Sequence, residues 1–303
     1  MNRSYAILDV FTNTPLAGNP LAVVTDTEGL DTAKMQAIAR EFNLSETVFV
    51  FPSDLPAHTA KLRIFSPYRE LPFAGHPTIG TAIFLATERF GEIKSEQNAM
   101  IVLEEGIGTV RCGVVLRENA TGFAEFDIPQ LPKPLGPPAD KADIATALDL
   151  SPHEIGFENH RPSNYSVGVP FTFVPVADLS VLAKAHPRPS LWTRGFGSGE
   201  HNRAFVYCRE TKNCDSGFHG RMFAIGHGVS EDPATGAAAA AFSAVVHYFD
   251  DLTDGTHLRR IEQGFEMGRP SLIDLEIDIE NGELHAARIG GQAIIVARGE
   301  LFV

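Results

Sequence analysis

Gly18-Asn-Pro-Leu-Ala-Val-Val24 has an echo 150 residues on, Gly168-Val-Pro-Phe-Thr-Phe-Val174. A second pair keeps the order: His76-Pro-Thr-Ile-Gly80 matches Asp232-Pro-Ala-Thr-Gly236, 156 residues on. In both members of that pair, x-Pro-x-x-Gly leads into an apolar or Ala-rich helix. A repeat of half the chain implies two similar domains rather than a solenoid. The Pro-rich stretch Pro129–Pro138 between the halves is the natural linker. The expectation is two pseudo-symmetric lobes with a cleft between them, where small-molecule sites tend to form.

Working outward, period-two apolar runs predict strands at Tyr5–Val10, Leu21–Thr25, Thr47–Phe51, Lys61–Phe65, Met100–Leu103, Thr109–Leu116, Phe171–Val176, Ala204–Cys208, Leu272–Ile279 and Ala293–Val296. Many are rich in Val, Ile and Phe and bounded by Gly, Pro, Asn or Asp, the pattern of strands joined by turns. Three stretches predict helices. Thr32–Phe42 carries Met35, Ile38, Ala39 and Phe42 on one face, and Thr78–Phe90 and Thr235–Phe249 are the others. Many strands with few helices make an α+β protein rather than a doubly wound sheet.

The 303 residues hold 25 Lys+Arg and 38 Asp+Glu, a net charge of −13, with 44% hydrophobic residues. That balance is globular, and its sign argues against nucleic acid or an anionic membrane as the main partner. Cys112, Cys208 and Cys214 form no CxxC pair and no disulfide framework. No apolar run approaches the ~18 residues of a membrane span. The start, MNRSYAILDVF, lacks a signal-peptide core, so a soluble, cytoplasmic protein is expected. The histidines show no HxxxH or HExxH spacing, and neither metal nor cofactor is expected. Gly195-Phe-Gly-Ser-Gly199 lacks the context of a nucleotide loop and is assigned to a turn. There is no GxSxG elbow, and Trp192, amid Pro and Ser, is assigned to packing.

Phe73-Ala-Gly-His-Pro-Thr-Ile-Gly80 places Pro77 in a helix's first turn, where a missing N–H costs nothing. Gly75 permits the tight backbone before it. The free N–H groups of that turn, with the positive end of the helix dipole, make a carboxylate site. Ser230-Glu-Asp-Pro-Ala-Thr-Gly236 predicts the same device, with Asp232 at the N-cap. His76, beside a helix start, is favoured in its neutral form. Glu46, in Asn43-Leu-Ser-Glu-Thr-Val-Phe-Val50, abuts a strand entering the core, where desolvation lifts a carboxylate toward general-base range. The plainer alternatives are a solvated turn residue for Glu46 and a simple helix cap for Asp232. Glu70 is a second candidate, assigned as a structural partner of Arg69 or Arg221.

Taken in order, several motifs resemble one family. They are Asp9-Val-Phe-Thr, Gly18-Asn-Pro-Leu-Ala-Val-Val, Asn43-Leu-Ser-Glu-Thr, Gly75-His-Pro-Thr-Ile-Gly, Arg221-Met-Phe, Glu231-Asp-Pro-Ala-Thr-Gly and Met267-Gly-Arg-Pro-Ser, closing with Gly290-Gly and Gly299-Glu-Leu. The pattern looks like the PhzF family of phenazine-biosynthesis isomerases. The resemblance implies a diaminopimelate epimerase-like fold, each lobe a strand-rich barrel around a central helix. It places residues 1–118 and a closing strand at about 299–303 in one lobe and 125–298 in the other, and it implies a homodimer. The activity implied is cofactor-free isomerisation of a small carboxylate such as trans-2,3-dihydro-3-hydroxyanthranilate, one glutamate moving a proton between carbons. Glu46 corresponds to that glutamate, with His76 and Asp232 as its partners. Ser45, Gly75, Pro77, Thr78, Thr235, Gly236 and Ala237 are the expected substrate contacts.

Two departures stand out. The epimerases of this fold use paired cysteines at their helix starts, where this chain has Ala74 and Pro233 or Ala234, so two-thiol chemistry is closed to it. Phenazine-type members usually carry Ser after the second Thr-Gly, and here Ala237 follows. The rival expectations are an amino-acid epimerase or racemase with a carboxylate base, and a non-catalytic metabolite-binding protein on the same fold.

Overall fold

The computed structural model describes residues 2–117, 121–199, 202–225 and 230–303. The chain divides into two compact units, Met1–Pro129 with Ile289–Val303, and Gln130–Arg288. The first contains β1 (Asn2–Val10), β2 (Asn19–Val24), α1 (Thr32–Phe42), β3 (Glu46–Phe51), β4 (Ala60–Phe65), the two-residue β5 (Glu70–Leu71), α2 (Gly75–Phe90), β6 (Gln97–Glu105), β7 (Gly108–Arg117) and β8 (Thr121–Asp127). The second contains β9 (Lys133–Pro134), α3 (Lys141–Ala147), β10 (Ser163–Ser166), β11 (Pro170–Pro175), α4 (Leu179–Lys184), α5 (Pro189–Phe196), β12 (Ala204–Cys208), β13 (Phe218–Phe223), β14 (Glu231–Asp232), α6 (Gly236–Asp250), β15 (Gly255–Gln263) and β16 (Ser271–Glu280). The long β17 (Glu283–Phe302) begins in the second unit, and its later residues pair antiparallel with β1 in the first.

Both units are wired alike. In the first, β1–β2 is antiparallel, β2–β3 parallel, β3–β4 and β4–β5 antiparallel, β4–β6 parallel and β6–β7 antiparallel. The series from β10 to β16 repeats that order of orientations. The wiring corrects the alignment read from the motifs. Ile64 pairs with Leu71 in one unit as Met222 pairs with Asp232 in the other, and each helix begins four residues later. Leu71 is therefore the counterpart of Asp232, and Ala237 that of His76. Pro77 lies inside the first turn of α2, whereas Pro233 lies ahead of α6. Asp232 is the last residue of β14, and Thr235, not Asp232, is the N-cap.

Local chemistry explains the helix ends. Asp31 accepts from Lys34 N at 2.8 Å to start α1, and Asn43 at φ 50° closes it, its N–H donating to Ala39. The buried face of α1, Met35, Ile38 and Ala39, packs on Val24, Phe49 and Phe65. The helix α2 is buried on almost every side, packing against β1, β2, β3, β6, β7 and β8. Gly80 allows that approach, because a Cβ there would sit 2.7 Å from Leu21 and Val10 side-chain atoms.

Three short helices were missed. Ile144, Ala145, Leu182, Trp192 and Phe196 from α3, α4 and α5 share one apolar cluster with Val174 and Val206. Trp192 is packed as expected, its Nε1 donating to the Asn202 carbonyl at 2.9 Å. The supposed turn at Gly195 begins later, since Gly195 and Phe196 finish α5 and Gly197 ends it at φ 72°. Part of the Pro-rich stretch is strand, with Lys133 and Pro134 paired to Ser166 and Tyr165.

Candidate active site

Glu46 opens β3, where the parallel register sets it beside Leu21. His76 is the second residue of α2. Residues 30 apart in the chain thus meet: His76 Nε2 lies 3.4 Å from Glu46 Oε2, with side chains 5% and 18% exposed. That contact is not a hydrogen bond, and the buried Nε2 has no hydrogen-bond partner. Burial pushes the His76 pKa down from 6.5 to about 3, so the ring is neutral. A histidine depressed on folding contributes stability that is full above its unfolded pKa and lost as pH falls toward the folded one. The His76 ring is therefore expected to show no NMR inflection between pH 5 and pH 8. An inflection near 6.5 would show a solvated ring.

No side chain caps α2, and Pro77 has no N–H to offer. The first-turn N–H groups of Gly75 and His76 are left for an anion such as a ligand carboxylate. Ser45 is half-buried at the entrance of β3. Thr78 is fully buried, its Oγ1 2.8 Å from both the Ala74 carbonyl and Glu105 Oε1.

In the second unit, the Asp232 carboxylate accepts from Thr235 Oγ1 at 2.5 Å. A fully buried Gln263 clamps the same loop. Its Nε2 donates to the Asp232 carbonyl at 2.7 Å and to Thr235 Oγ1 at 3.0 Å, while its Oε1 accepts from Thr235 N at 3.1 Å. No side chain caps α6, whose first residues are Gly236 and Ala237. The strand carrying Gln263 is pinned by an ionic cluster. His219, fully buried, meets Glu262 at 2.6 Å through Nδ1 and Glu266 at 3.2 Å through Nε2. Desolvation pulls the His219 pKa down, but its hydrogen bonds to the two carboxylates win and raise it. Burial opposes ionisation of Glu262 as well, yet His219 and the Lys212 and Asn213 amides hold it down at about 2.

Sequence reasoning missed Gln263, His219 and Glu105. Glu105 left a legible signal, as it continues the inward alternation of Ile101 and Leu103; Gln263 left none. Glu70 is held by a bidentate pair with Arg63 at 2.7 and 2.6 Å. Arg221 instead grips Glu231 and donates to the carbonyls of Leu182, Ala183 and Ala185 around the end of α4. Cys112 and Cys208 are buried and Cys214 is exposed. Burial raises both buried thiols, Cys208 to about 12. Among the described residues, no group of three or more His, Cys, Asp or Glu is arranged to hold a metal ion, and no helix is long and apolar enough to cross a membrane.

A carboxylate beside a neutral imidazole at an uncapped helix start is an arrangement that can transfer a proton. The model of the phenazine biosynthesis-like family, PhzC-PhzF, matches residues 8–299. An uncharacterized isomerase of Mesorhizobium japonicum is 53% identical over 99% of both chains. A trans-2,3-dihydro-3-hydroxyanthranilate isomerase of Pseudomonas fluorescens is 32% identical, again over 99% of both. A solved Bacillus anthracis phenazine biosynthesis protein of the PhzF family covers 100% of both chains with a TM-score of 0.88 at 25% identity. The chain belongs to the PhzC-PhzF family of phenazine biosynthesis-like proteins, with its strand-rich, barrel-containing fold. It is an isomerase.

Proposed function

We propose that this isomerase moves a proton between two carbons of a small carboxylate-bearing substrate, without a cofactor. The observation that carries the reading is the Glu46–His76 pair, a shielded carboxylate 3.4 Å from a neutral imidazole nitrogen that has no hydrogen-bond partner. Glu46 takes a proton from an activated carbon and returns it to another, so one C–H bond breaks, one forms and the double bond shifts. His76 and the N–H groups of Gly75 and His76 stabilise the negative charge that develops meanwhile. Asp232, with Ser45, Pro77, Thr235, Gly236 and Ala237, enters this reading through the family resemblance. So do the homodimer and the two pseudo-symmetric lobes, which the shared strand wiring supports.

The substrate class rests on the relatives named for trans-2,3-dihydro-3-hydroxyanthranilate. Ala237, a methyl where such members usually carry a hydroxyl, favours a substrate with one polar group fewer at that point. The test is incubation with trans-2,3-dihydro-3-hydroxyanthranilate in D₂O, followed by mass spectrometry and NMR. Isomerised product is expected, carrying one deuterium where the protonated Glu46 carboxyl exchanges with solvent before the return step. Exchange that inverts a stereocentre without moving a double bond would assign an epimerase instead. Folded protein giving neither isomerisation nor exchange would remove this substrate.

A further inference from the structure

Glu105 ends β6 with its side chain on the same buried face as Ile101 and Leu103, where alternation calls for a third apolar residue. Among the described residues no cation pairs with it. Cys112, opposite Ile101 on the neighbouring β7, is held neutral by burial first and by Glu105 second. Thr78 Oγ1 sits 2.8 Å from Glu105 Oε1 and 2.8 Å from the Ala74 carbonyl oxygen. A hydroxyl has one proton to give, and a carbonyl only accepts. If the Thr78 proton goes to Ala74, the proton in the other contact belongs to Glu105. The second oxygen of Glu105 is buried without a partner, which a neutral acid tolerates and an ionised one does not. Burial raises this carboxyl to about 8, in the same direction.

The neighbouring turn grips the same segment from its other end. A Cβ on Gly106 would lie 2.8 Å from Pro72 Cα, and Ile107 N donates to the Pro72 carbonyl at 3.0 Å. The strip from Phe73 to Pro77 is thus held at Pro72 and again at Thr78.

We propose that Glu105 is a positioning residue that works in its neutral form, giving its proton to Thr78 so that Thr78 secures the Ala74 carbonyl and the helix start from which His76 faces Glu46. The proposal rests on the reading of Glu46 and His76 as the reacting pair. When Glu105 ionises, the Thr78 proton turns toward it, and the Ala74 carbonyl keeps only the longer 3.2 Å bond from Thr78 N. Turnover should then fall as pH rises past about 8.

Infrared difference spectra of the wild type against Glu105→Gln at neutral pH test the proton directly. The carbonyl band of a neutral carboxylic acid, disappearing at alkaline pH, is expected; a carboxylate band at neutral pH overturns the proposal. In kinetics, Glu105→Gln keeps a donor and should keep turnover while losing the alkaline fall. Glu105→Leu keeps the volume without the donor, and should lower kcat by ~100-fold, the scale of a small misplacement at a reacting pair, with a smaller change in KM. Equal losses in both variants, or a Leu variant as fast as wild type, also overturn it. If Glu105→Leu does not fold, the infrared band and the Gln pH profile decide. The infrared arm needs no substrate, so an inactive wild type would refute the Glu46 reading while the band still reports on Glu105.

Discussion

Glu46→Gln is expected to lower turnover by ~100-fold or more while leaving the protein folded, because a positioned general base is worth about that much. The amide matches the carboxylate in size but cannot accept the proton. His76 cannot substitute, since its folded pKa of about 3 makes it too weak a base at neutral pH. Glu46→Gln also replaces the carboxylate 3.4 Å from His76 Nε2 with a neutral amide, so a small change in substrate affinity is expected besides. In D₂O the variant should return substrate without deuterium. A Gln variant that still isomerises at the wild-type rate would move the base elsewhere, and Asp232 would be the next residue to replace.

Phe242→Ala is expected to destabilise the protein by ~3–5 kcal/mol, a large share of the roughly 5–15 kcal/mol that holds a typical domain. Phe242 is fully buried on α6, its ring 4.7 Å from Tyr207, 4.9 Å from Phe218 and 5.7 Å from both Phe173 and Phe205. The Tyr207 and Phe218 pairs are edge-on, at 76° and 90°, which adds to the area buried. Its helical neighbours Ala238 to Ala241 are too short to fill the space left behind. Urea denaturation should show a lower midpoint at an unchanged slope. Phe242→Leu should recover part of the loss. A cost below ~1 kcal/mol would mean that the four surrounding rings collapse into the gap, against a close-packed core.

The parts of this molecule that were legible in its sequence are those that local chemistry decides. The bounds of α1 follow from an Asp cap, an apolar stripe and an Asn that tolerates a left-handed backbone. Strand positions follow from alternation, and Glu46 was visible because it stands where a polar turn meets an apolar strand. The three short helices of the second unit, α3 to α5, were hidden because each is too short to show a period, and tertiary burial rather than propensity holds them. Asp232 was misplaced by five residues of alignment. The Pro that marks a first turn in α2 marks a loop before α6, and only the partner strand β13 and Gln263 make that distinction.

The sequence by itself determined the α+β composition, the repeat, the family and the identity of Glu46 and His76 as candidates, because turn residues, periodicity and ordered motifs are carried by neighbours in the chain. Only the tertiary structure decided that those two side chains meet, that the His76 imidazole is buried and neutral, that Ala237 rather than Asp232 is the counterpart of His76, and that a buried Glu105 meets Thr78 at the helix start. Those properties depend on which distant residues exclude water from a group and supply its hydrogen bonds, and desolvation at one site is set by atoms far apart along the chain.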